Sequence, residues 1–244
     1  MKCCNAYENN NMHEMMGETL RPGGFSLTEI GVQLCKFSSE DSVLDLGCGQ
    51  GATVGYLKEK HNIKAVGIDP SEKLLDIARK KYGYADFVLG TGENTPFANE
   101  CFHGVLAECT LSLMDDVNRT LKEVYRVLKK RGWFVITDVY ARNPSFVNKL
   151  EKFSFHSCMR GLHDVNLLEE NLKSVGFEIM VLEDCSDLLK ELLVKIVFSY
   201  GSMGVFWNKT TDDCTDGYKF QEIMKACKPG YFIMIARKGE TNHE

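Results

Sequence analysis

Long apolar runs, paired cysteine motifs and an excess of basic charge are all missing from this sequence. No run of about eighteen apolar residues occurs, so no segment is predicted to cross a membrane. The first residues, 1–5, are polar and predict no secretory signal. The net charge of −5 argues against binding of nucleic acid or of an anionic membrane through a general basic field. No repeat or low-complexity segment is present, which excludes solenoid and disordered classes.

Cysteine is abundant, with ten residues, but the ten form no recognisable framework. No two of them are spaced as C-x-x-C, so the sequence predicts neither a zinc site nor a dithiol redox motif. With no signal segment, we expect a reducing cytoplasm in which the thiols persist. The 244 residues, 44% of them hydrophobic and 26% charged, allow one sizeable globular core.

The stretch 43–51, VLDLGCGQG, is the most informative part of the chain. An apolar run that contains Asp45 ends at three glycines spaced two apart, Gly47, Gly49 and Gly51, and 52–60 then has the pattern of a helix. This order predicts a strand, a glycine turn and a helix. Glycine permits backbone angles that a Cβ disfavours and lets a ligand approach the main chain. The N–H groups that open the helix can bind polar or anionic ligand groups.

A second apolar stretch, KAVGID, ends at Asp69, 69 − 51 = 18 residues beyond the last glycine. An acid at the end of the second strand can accept hydrogen bonds from both hydroxyls of a ribose, so the two stretches predict a nucleoside-containing ligand. The glycine order is G-x-G-x-G and not the G-x-G-x-x-G of a dinucleotide site.

The sequences DLGCGQG and VGIDPS resemble the first two motifs of class I S-adenosylmethionine-dependent methyltransferases, in their small-molecule, type 11-like branch. Further stretches at 90–97, 102–108 and 126–138 resemble later motifs of that family, so the resemblance covers 41–140 in order. It implies an α/β, Rossmann-like mixed seven-stranded sheet with helices on both faces and an antiparallel last strand. It also implies S-adenosylmethionine as cofactor and a small-molecule methyl acceptor.

The resemblance implies cofactor-binding roles for eight residues. Three carboxylates would hold polar groups: Asp45 the ammonium, Asp69 the ribose hydroxyls, and Glu108 the methionine portion unless it faces the substrate. Gly92 and Glu93 would lie beside the adenine. The turn would allow close approach of the cofactor through Gly47, Gly49 and Gly51.

Two positions depart from the family's usual pattern. Thr91 stands where relatives often carry the carboxylate that accepts a hydrogen bond from the adenine amino group. In this chain a hydroxyl or a backbone carbonyl would have to accept that hydrogen bond. The predicted turn 129–132 reads KKRG in place of the common KPGG. No catalytic residue is assigned, because a bound sulfonium is already activated and positioning alone can suffice. Candidate general bases are His103, His156, His163 and Glu108.

Strand and helix patterns alternate from Asp41 to Asp138, which predicts a parallel sheet covered by helices. We expect strands near 42–46, 64–68, 85–89, 103–108 and 132–138, and helices near 51–60, 71–82 and 117–130. We expect residues 1–40 to form a lid or an edge helix capped by Ser26 or Thr28, and 41–244 to form the methyltransferase domain with cap insertions near 139–166 and 188–226. The segment 139–166 either covers the methyl-transfer site or packs on the core as a peripheral helix. Strands 177–182 and 231–236 are expected to close the sheet as a hairpin, and 201–217 is predicted to be a loop.

Rival functions remain open. The cysteine count and the adjacent Cys3 and Cys4 motivate a thiophilic acceptor such as a metalloid or a thiol, held by Cys4, Cys48, Cys109 and Cys158 if these approach one cleft. A cofactor-binding partner subunit without catalysis is the alternative from another class. A dehydrogenase is disfavoured by the glycine order and by the absence of a recognisable Y-x-x-x-K pair. Nucleic-acid methylation is disfavoured because ECTL stands where an NPPY-like tetrapeptide is expected.

Overall fold

The computed structural model describes residues 4–9, 12, 17–211 and 215–240. Its strands, in chain order, are β1 (Cys4–Asn5), β2 (Ser42–Leu46), β3 (Lys64–Asp69), β4 (Asp86–Leu89), β5 (Phe102–Glu108), β6 (Leu128–Ala141), β7 (Phe155–His156), β8 (Phe177–Asp184) and β9 (Pro229–Lys238). Its α-helices are α1 (Ser26–Cys35), α2 (Ala52–His61), α3 (Glu72–Lys81), α4 (Val117–Val127), α5 (Val147–Leu150), α6 (Val165–Val175), α7 (Ser186–Tyr200), α8 (Met203–Thr210) and α9 (Gly217–Cys227).

Seven strands form one mixed sheet in the order β4-β3-β2-β5-β6-β9-β8. β9 runs antiparallel to both of its neighbours, whereas the pairs from β4 through β6 are parallel. Successive strand residues point to opposite faces, so Val105 and Leu106 belong to different apolar clusters on the two sides of the sheet. The predicted Rossmann-like sheet with an antiparallel last strand is therefore confirmed.

Helix ends follow local chemistry at most positions. The Ser71 side chain accepts a hydrogen bond from the Leu74 N–H, as the predicted cap requires, and Gly176 ends α6 in the left-handed conformation. The prediction for α1 was wrong: its N-cap is Phe25, and the Ser26 hydroxyl instead donates to the Gly23 carbonyl in the preceding turn.

Two boundaries differ from the sequence prediction. α4 ends at Val127, not near 130, because Leu128 already pairs with Phe102 and begins β6. Lys129 to Arg131 consequently belong to a strand with an irregular register and not to a turn. The segment 201–217 was predicted to be a loop but contains α8, which is capped by the Ser202 side chain on the Val205 N–H.

A small two-stranded sheet lies apart from the main one. β1 pairs in parallel with β7, so the N-terminal segment contacts the insertion that follows β6. Short 3-10 helices at Ala6–Glu8 and Cys158–Arg160 continue from these two strands. Within the described ranges, no helix combines the length and the apolarity needed to span a membrane.

Candidate active site

The glycine turn after β2 lies at the carboxyl edge of the parallel strands. The N–H groups of Gly47 and Cys48 both donate to the Ile68 carbonyl at the end of β3, at 2.8 and 3.0 Å. Gly47 has a φ of +75°, and a Cβ there would lie 2.3 Å from the Thr110 side chain. Gly49 has a φ of +51°, and a Cβ would meet no atom within 4 Å. Gly47 is thus required because a larger residue would clash with Thr110, whereas Gly49 leaves open space beside the turn.

Gly51 plays a different part in the turn. It is the N-cap of α2 in a left-handed conformation, and a Cβ there would lie 2.6 Å from the Phe87 ring and 3.1 Å from Ala78. This glycine therefore allows α2 to pack against β4 and α3. It does not line the cavity that the other two glycines border.

The Asp69 carboxylate is held against the glycine turn. One oxygen accepts a hydrogen bond from the Gly49 N–H at 2.9 Å, and the other accepts from the Ser71 N–H at 2.8 Å. Burial raises the pKa of Asp69, and these two backbone hydrogen bonds oppose that rise. Each carboxylate oxygen can accept a second hydrogen bond, so the group remains competent to bind a pair of ligand hydroxyls.

A buried ion pair closes the other side of the site. Arg21 Nη2 lies 3.0 Å from Glu108 Oε2, and the two side chains are only 6% and 1% exposed. The hydroxyls of Thr28 and Thr53 donate to the two oxygens of Glu108 at 2.7 and 2.9 Å and accept from Arg21 at 2.7 and 3.0 Å. We call these four residues the Arg21–Glu108 network. It joins the N-terminal segment to α1, α2 and the end of β5.

Asp45 lies beneath the glycine turn, near both of these features. Burial, reinforced by the negative charges of Glu108 and Asp69, raises the pKa of Asp45 to about 8, although Arg21 acts in the opposite direction. A cation that binds beside Asp45 would favour its ionised form. Asp45 is therefore suited to receive a positively charged ligand group.

These features surround one cavity of about 340 Å³. Seven of the eight residues implied by the sequence border it, all except Gly51: Asp45, Gly47, Gly49, Asp69, Gly92, Glu93 and Glu108. The cavity lies within the size range of small-molecule sites in proteins. Thr91 also lines it, and Glu93 is held in place because its side chain accepts from the Asp115 N–H at 3.0 Å.

The N-terminal segment borders this cavity through Tyr7. The Tyr7 hydroxyl accepts a hydrogen bond from the Cys158 N–H at 3.1 Å, and Glu8 accepts from the Ser71 hydroxyl at 2.7 Å. Lys73 donates to the Glu8 carbonyl at 3.0 Å. The segment is thus tied on one side to the insertion after β6 and on the other to the start of α3.

The candidate bases occupy different places. His156 lines the large cavity and is half-buried. His163 lies 3.4 Å from Asp138 beside β6 and does not border the cavity. His103 accepts from the Ser42 N–H at 2.9 Å, at the amino end of the strands and away from the site. Glu108 is occupied by the network described above, which leaves His156 as the histidine in position to act.

Three of the four cysteines that the sequence named lie close together: Cys48 and Cys109 border the cavity, and Cys109 is hydrogen-bonded with Cys158. Cys109 lies at the end of β5 and Cys158 in the insertion, and a hydrogen bond with Cys158 together with burial raises the pKa of Cys109 well above its ordinary value. Burial likewise raises the pKa of Cys48. A soft ion would have to displace the thiol protons when it binds, so these cysteines are not preformed thiolate ligands. Cys3 and the Cys4 side chain lie outside the described part of the chain, so their predicted role is untested.

Sequence reasoning missed three residues of this site: Arg21, Thr53 and Tyr7. Arg21 stands directly before a Pro-Gly-Gly turn, and no local pattern distinguished it from an exposed turn residue. Thr53 lies in the first turn of α2, where a polar residue is expected to face the ligand. No sequence pattern marked Tyr7.

Residues 44–136 match the family model described as "Methyltransferase domain". The matched region begins in β2, ends in β6 and contains the glycine turn, Asp69 and Glu108. Residues 44–136 therefore carry the conserved part of a methyltransferase domain. The sequence resemblance to that family is confirmed.

Known relatives and structures agree with this assignment. Demethylmenaquinone methyltransferase of Thermotoga maritima is 32% identical over 124 residues, which are 50% of this chain and 54% of that protein. The chain spans about half or less of the length of the curated relatives it matches first. Phosphoethanolamine N-methyltransferase 2 of Haemonchus contortus in complex with S-adenosyl-L-methionine superimposes with a TM-score of 0.75 at 19% identity, covering 95% of this chain and 56% of that one.

The same fold also serves another chemistry. The [4+2]-cyclase SpnF superimposes with a TM-score of 0.76 at 20% identity and covers 96% of this chain and 93% of its own. At this identity the similarity establishes the fold alone, so the activity of the methyltransferase domain must be argued from its own site.

The site of the methyltransferase domain fits S-adenosylmethionine. The cofactor carries an ammonium and a sulfonium, and among the described residues the cavity is lined by six carboxylates and one arginine. The carboxylates are Glu18, Asp45, Asp69, Glu93, Glu108 and Asp115. The open space above Gly49 allows a ligand to contact the main chain of the turn.

Proposed function

We propose that this protein binds S-adenosylmethionine and transfers its methyl group to a small-molecule acceptor. One observation carries the proposal: Asp45, the open face of Gly49 and Asp69 meet at one edge of a single cavity of about 340 Å³. A turn of this geometry without the two carboxylates would suit many ligands, and the carboxylates select a cationic nucleoside.

Each residue has a distinct part in holding the cofactor. Asp69 accepts hydrogen bonds from the ribose hydroxyls, and its own orientation is fixed by the Gly49 and Ser71 N–H groups. Asp45 receives the ammonium. Gly92 and Glu93 border the end of the cavity assigned to the adenine, where Thr91 offers a hydroxyl in place of the usual carboxylate. When bound, S-adenosylmethionine supplies an activated methyl group on a sulfonium.

The chain contributes to the reaction mainly by placing the acceptor and excluding water. Holding reacting atoms within about 3–3.5 Å and in line accounts for roughly 7–11 kcal/mol of barrier lowering. Among the described histidines, His156 lines the cavity wall and can take a proton from an acceptor. Tyr7 lies across the mouth, and burial raises its pKa well above the ordinary value, so it stays neutral.

The parts of the chain outside 44–136 supply the cover. We assign residues 1–40 as the lid, because Tyr7 and Glu8 bridge the two sides of the mouth and Arg21 anchors the segment to Glu108. The insertions near 139–166 and 188–226 form the cap on the acceptor side. The described cysteines are free thiols, which favours a reducing compartment such as the cytoplasm.

Methyl transfer can be tested without knowing the acceptor. The protein is incubated with S-adenosylmethionine labelled in the methyl group and with a small-molecule extract, and label is followed into products. We expect labelled products with the wild type and with Asp76→Ala, an exposed acid on α3, and their loss with Asp69→Ala. Label that appears equally with Asp69→Ala, or no label above the protein-free blank, would contradict the proposal.

A further inference from the structure

A second cavity, of about 40 Å³, adjoins the first. The two share Tyr7, Leu20 and Cys109 as wall residues, so a molecule that reaches past these side chains passes from one into the other. The volume accommodates a few carbon atoms and no large group.

The walls of this second cavity are apolar. One side is supplied by α7 and α8, through apolar residues that include Leu189, Leu193, Ile196, Met203, Phe206 and Trp207. None of the described residues that line it is charged. Its few polar groups are engaged elsewhere: the Ser157 hydroxyl accepts from the Met159 N–H, Cys109 Sγ lies 3.3 Å from the Tyr231 hydroxyl, and the Trp207 indole donates to Gln221 at 3.0 Å. A charged group placed here would lose its hydration without compensation.

The large cavity opposes anions for a different reason. Arg21 is the one lysine or arginine among its described lining residues, and that guanidinium is already paired with Glu108 at 3.0 Å. Six acidic side chains line the same space; among them, Asp45 is mainly protonated at neutral pH because burial raises its pKa to about 8, and Glu108 is paired with Arg21. A phosphate monoester carries about −1.5 to −2 charges at neutral pH, so it would face like charges and find no available cation. Phosphate recognition normally requires arginine, lysine or a helix N-terminus directed at the ligand. The N-terminus of α2 borders the cavity through Ala52 and Thr53, but it follows the glycine turn, at the end of the cavity that the proposed function gives to the cofactor.

We propose that the second cavity receives an uncharged apolar part of the methyl acceptor, and that phosphorylated acceptors are rejected. The assignment rests on the proposed methyl-transfer function, which it deepens by naming the acceptor class. The acceptor enters with its apolar end among the side chains of α7 and α8. Its reacting atom then lies in the large cavity, near Tyr7, Cys109 and His156.

The test compares two probes that differ only in charge. Protein saturated with S-adenosylhomocysteine is titrated calorimetrically with 4-methylphenol, which is neutral at pH 7, and with 4-methylphenyl phosphate. We expect 4-methylphenol to bind at least tenfold more tightly. Ile196→Phe fills the small cavity and should weaken 4-methylphenol binding at least tenfold. Val194→Phe is the matched control, since Val194 is 54% exposed on the same helix, and it should leave the affinity unchanged.

A second readout covers the case in which Ile196→Phe does not fold. The chain has two tryptophans, so Trp133→Phe leaves Trp207 in the cavity wall as the reporter. The neutral probe should change the fluorescence of Trp207, and the phosphate should not. Equal or tighter binding of the phosphate, an unchanged affinity in folded Ile196→Phe, or no binding of either probe would overturn the assignment. Failure of S-adenosylhomocysteine to bind in the first step would instead refute the proposed function.

Discussion

The Arg21–Glu108 network offers a quantitative prediction about stability. Arg21 and Glu108 are almost wholly buried and share the hydroxyls of Thr28 and Thr53. Replacing Arg21 with methionine removes the positive charge and leaves the Glu108 carboxylate buried without its partner. Removal of one member of a buried pair costs about 3–5 kcal/mol of unfolding free energy. We expect Arg21→Met and Glu108→Gln each to lose stability in that range.

The double variant distinguishes a paired charge from two independent contacts. Because Arg21→Met and Glu108→Gln together leave no unpaired charge, their combined cost should fall below the sum by about 2–3 kcal/mol. The measurement is urea unfolding of the wild type, both single variants and the double variant. The exposed pair Lys64 and Glu40, at 3.3 Å, serves as control, and its removal should leave the stability unchanged within error.

Additive losses would refute this reasoning, and so would a loss below 1 kcal/mol for Arg21→Met. Cofactor affinity supplies an independent check, since Arg21 anchors the proposed lid over the cavity. Both single variants should bind S-adenosylhomocysteine less tightly than wild type at temperatures where they remain folded.

Three further predictions concern the cofactor site. Asp69→Ala should weaken S-adenosylmethionine binding by roughly 1.5–3 kcal/mol in calorimetry, through loss of charge-assisted hydrogen bonds, and an unchanged affinity in the folded variant would sink the ribose assignment. Because the pKa of Asp45 is raised to about 8, its carboxyl is protonated below that pH and must release a proton when it receives the ammonium. Affinity should therefore rise up to about tenfold between pH 6 and pH 7, and this pH dependence should vanish in Asp45→Asn; a flat wild-type profile would contradict it. Gly47→Ala should destabilise the fold, because its Cβ would collide with Thr110. At Gly49 a Cβ meets open space, so Gly49→Ala should lose cofactor affinity with a smaller loss of Tm. A larger loss of Tm for Gly49→Ala than for Gly47→Ala would refute this division of roles.

The sheet was predictable because its determinants are local. The apolar run before Gly47, the glycine spacing and the position of Asp69 each follow from backbone geometry within a short stretch. The end of α4 was not predictable from the sequence. Lys129 to Arg131 suit a helix or a turn, and only the pairing of Leu128 with Phe102 assigns them to a strand.

The candidate site likewise contains some residues that the sequence predicted and others that it did not. Asp45, Asp69 and Glu108 come from strand ends, so the sheet brings them together once the strands are placed. Arg21 and Tyr7 reach the site through long-range contacts with Glu108 and Cys158, which no local pattern records. The apolar face of α7 was visible as a pattern, but its use as a cavity wall depends on how α8 packs against it.

The central claim is that the cavity beside the glycine turn binds S-adenosylmethionine. The most direct test is calorimetric titration of the purified, reduced protein with S-adenosylmethionine, S-adenosylhomocysteine and NAD in parallel. We predict micromolar binding of both sulfur nucleosides and none of NAD. Binding of NAD, or of none of the three, would contradict the cofactor assignment and with it the account of Asp45, Gly49 and Asp69.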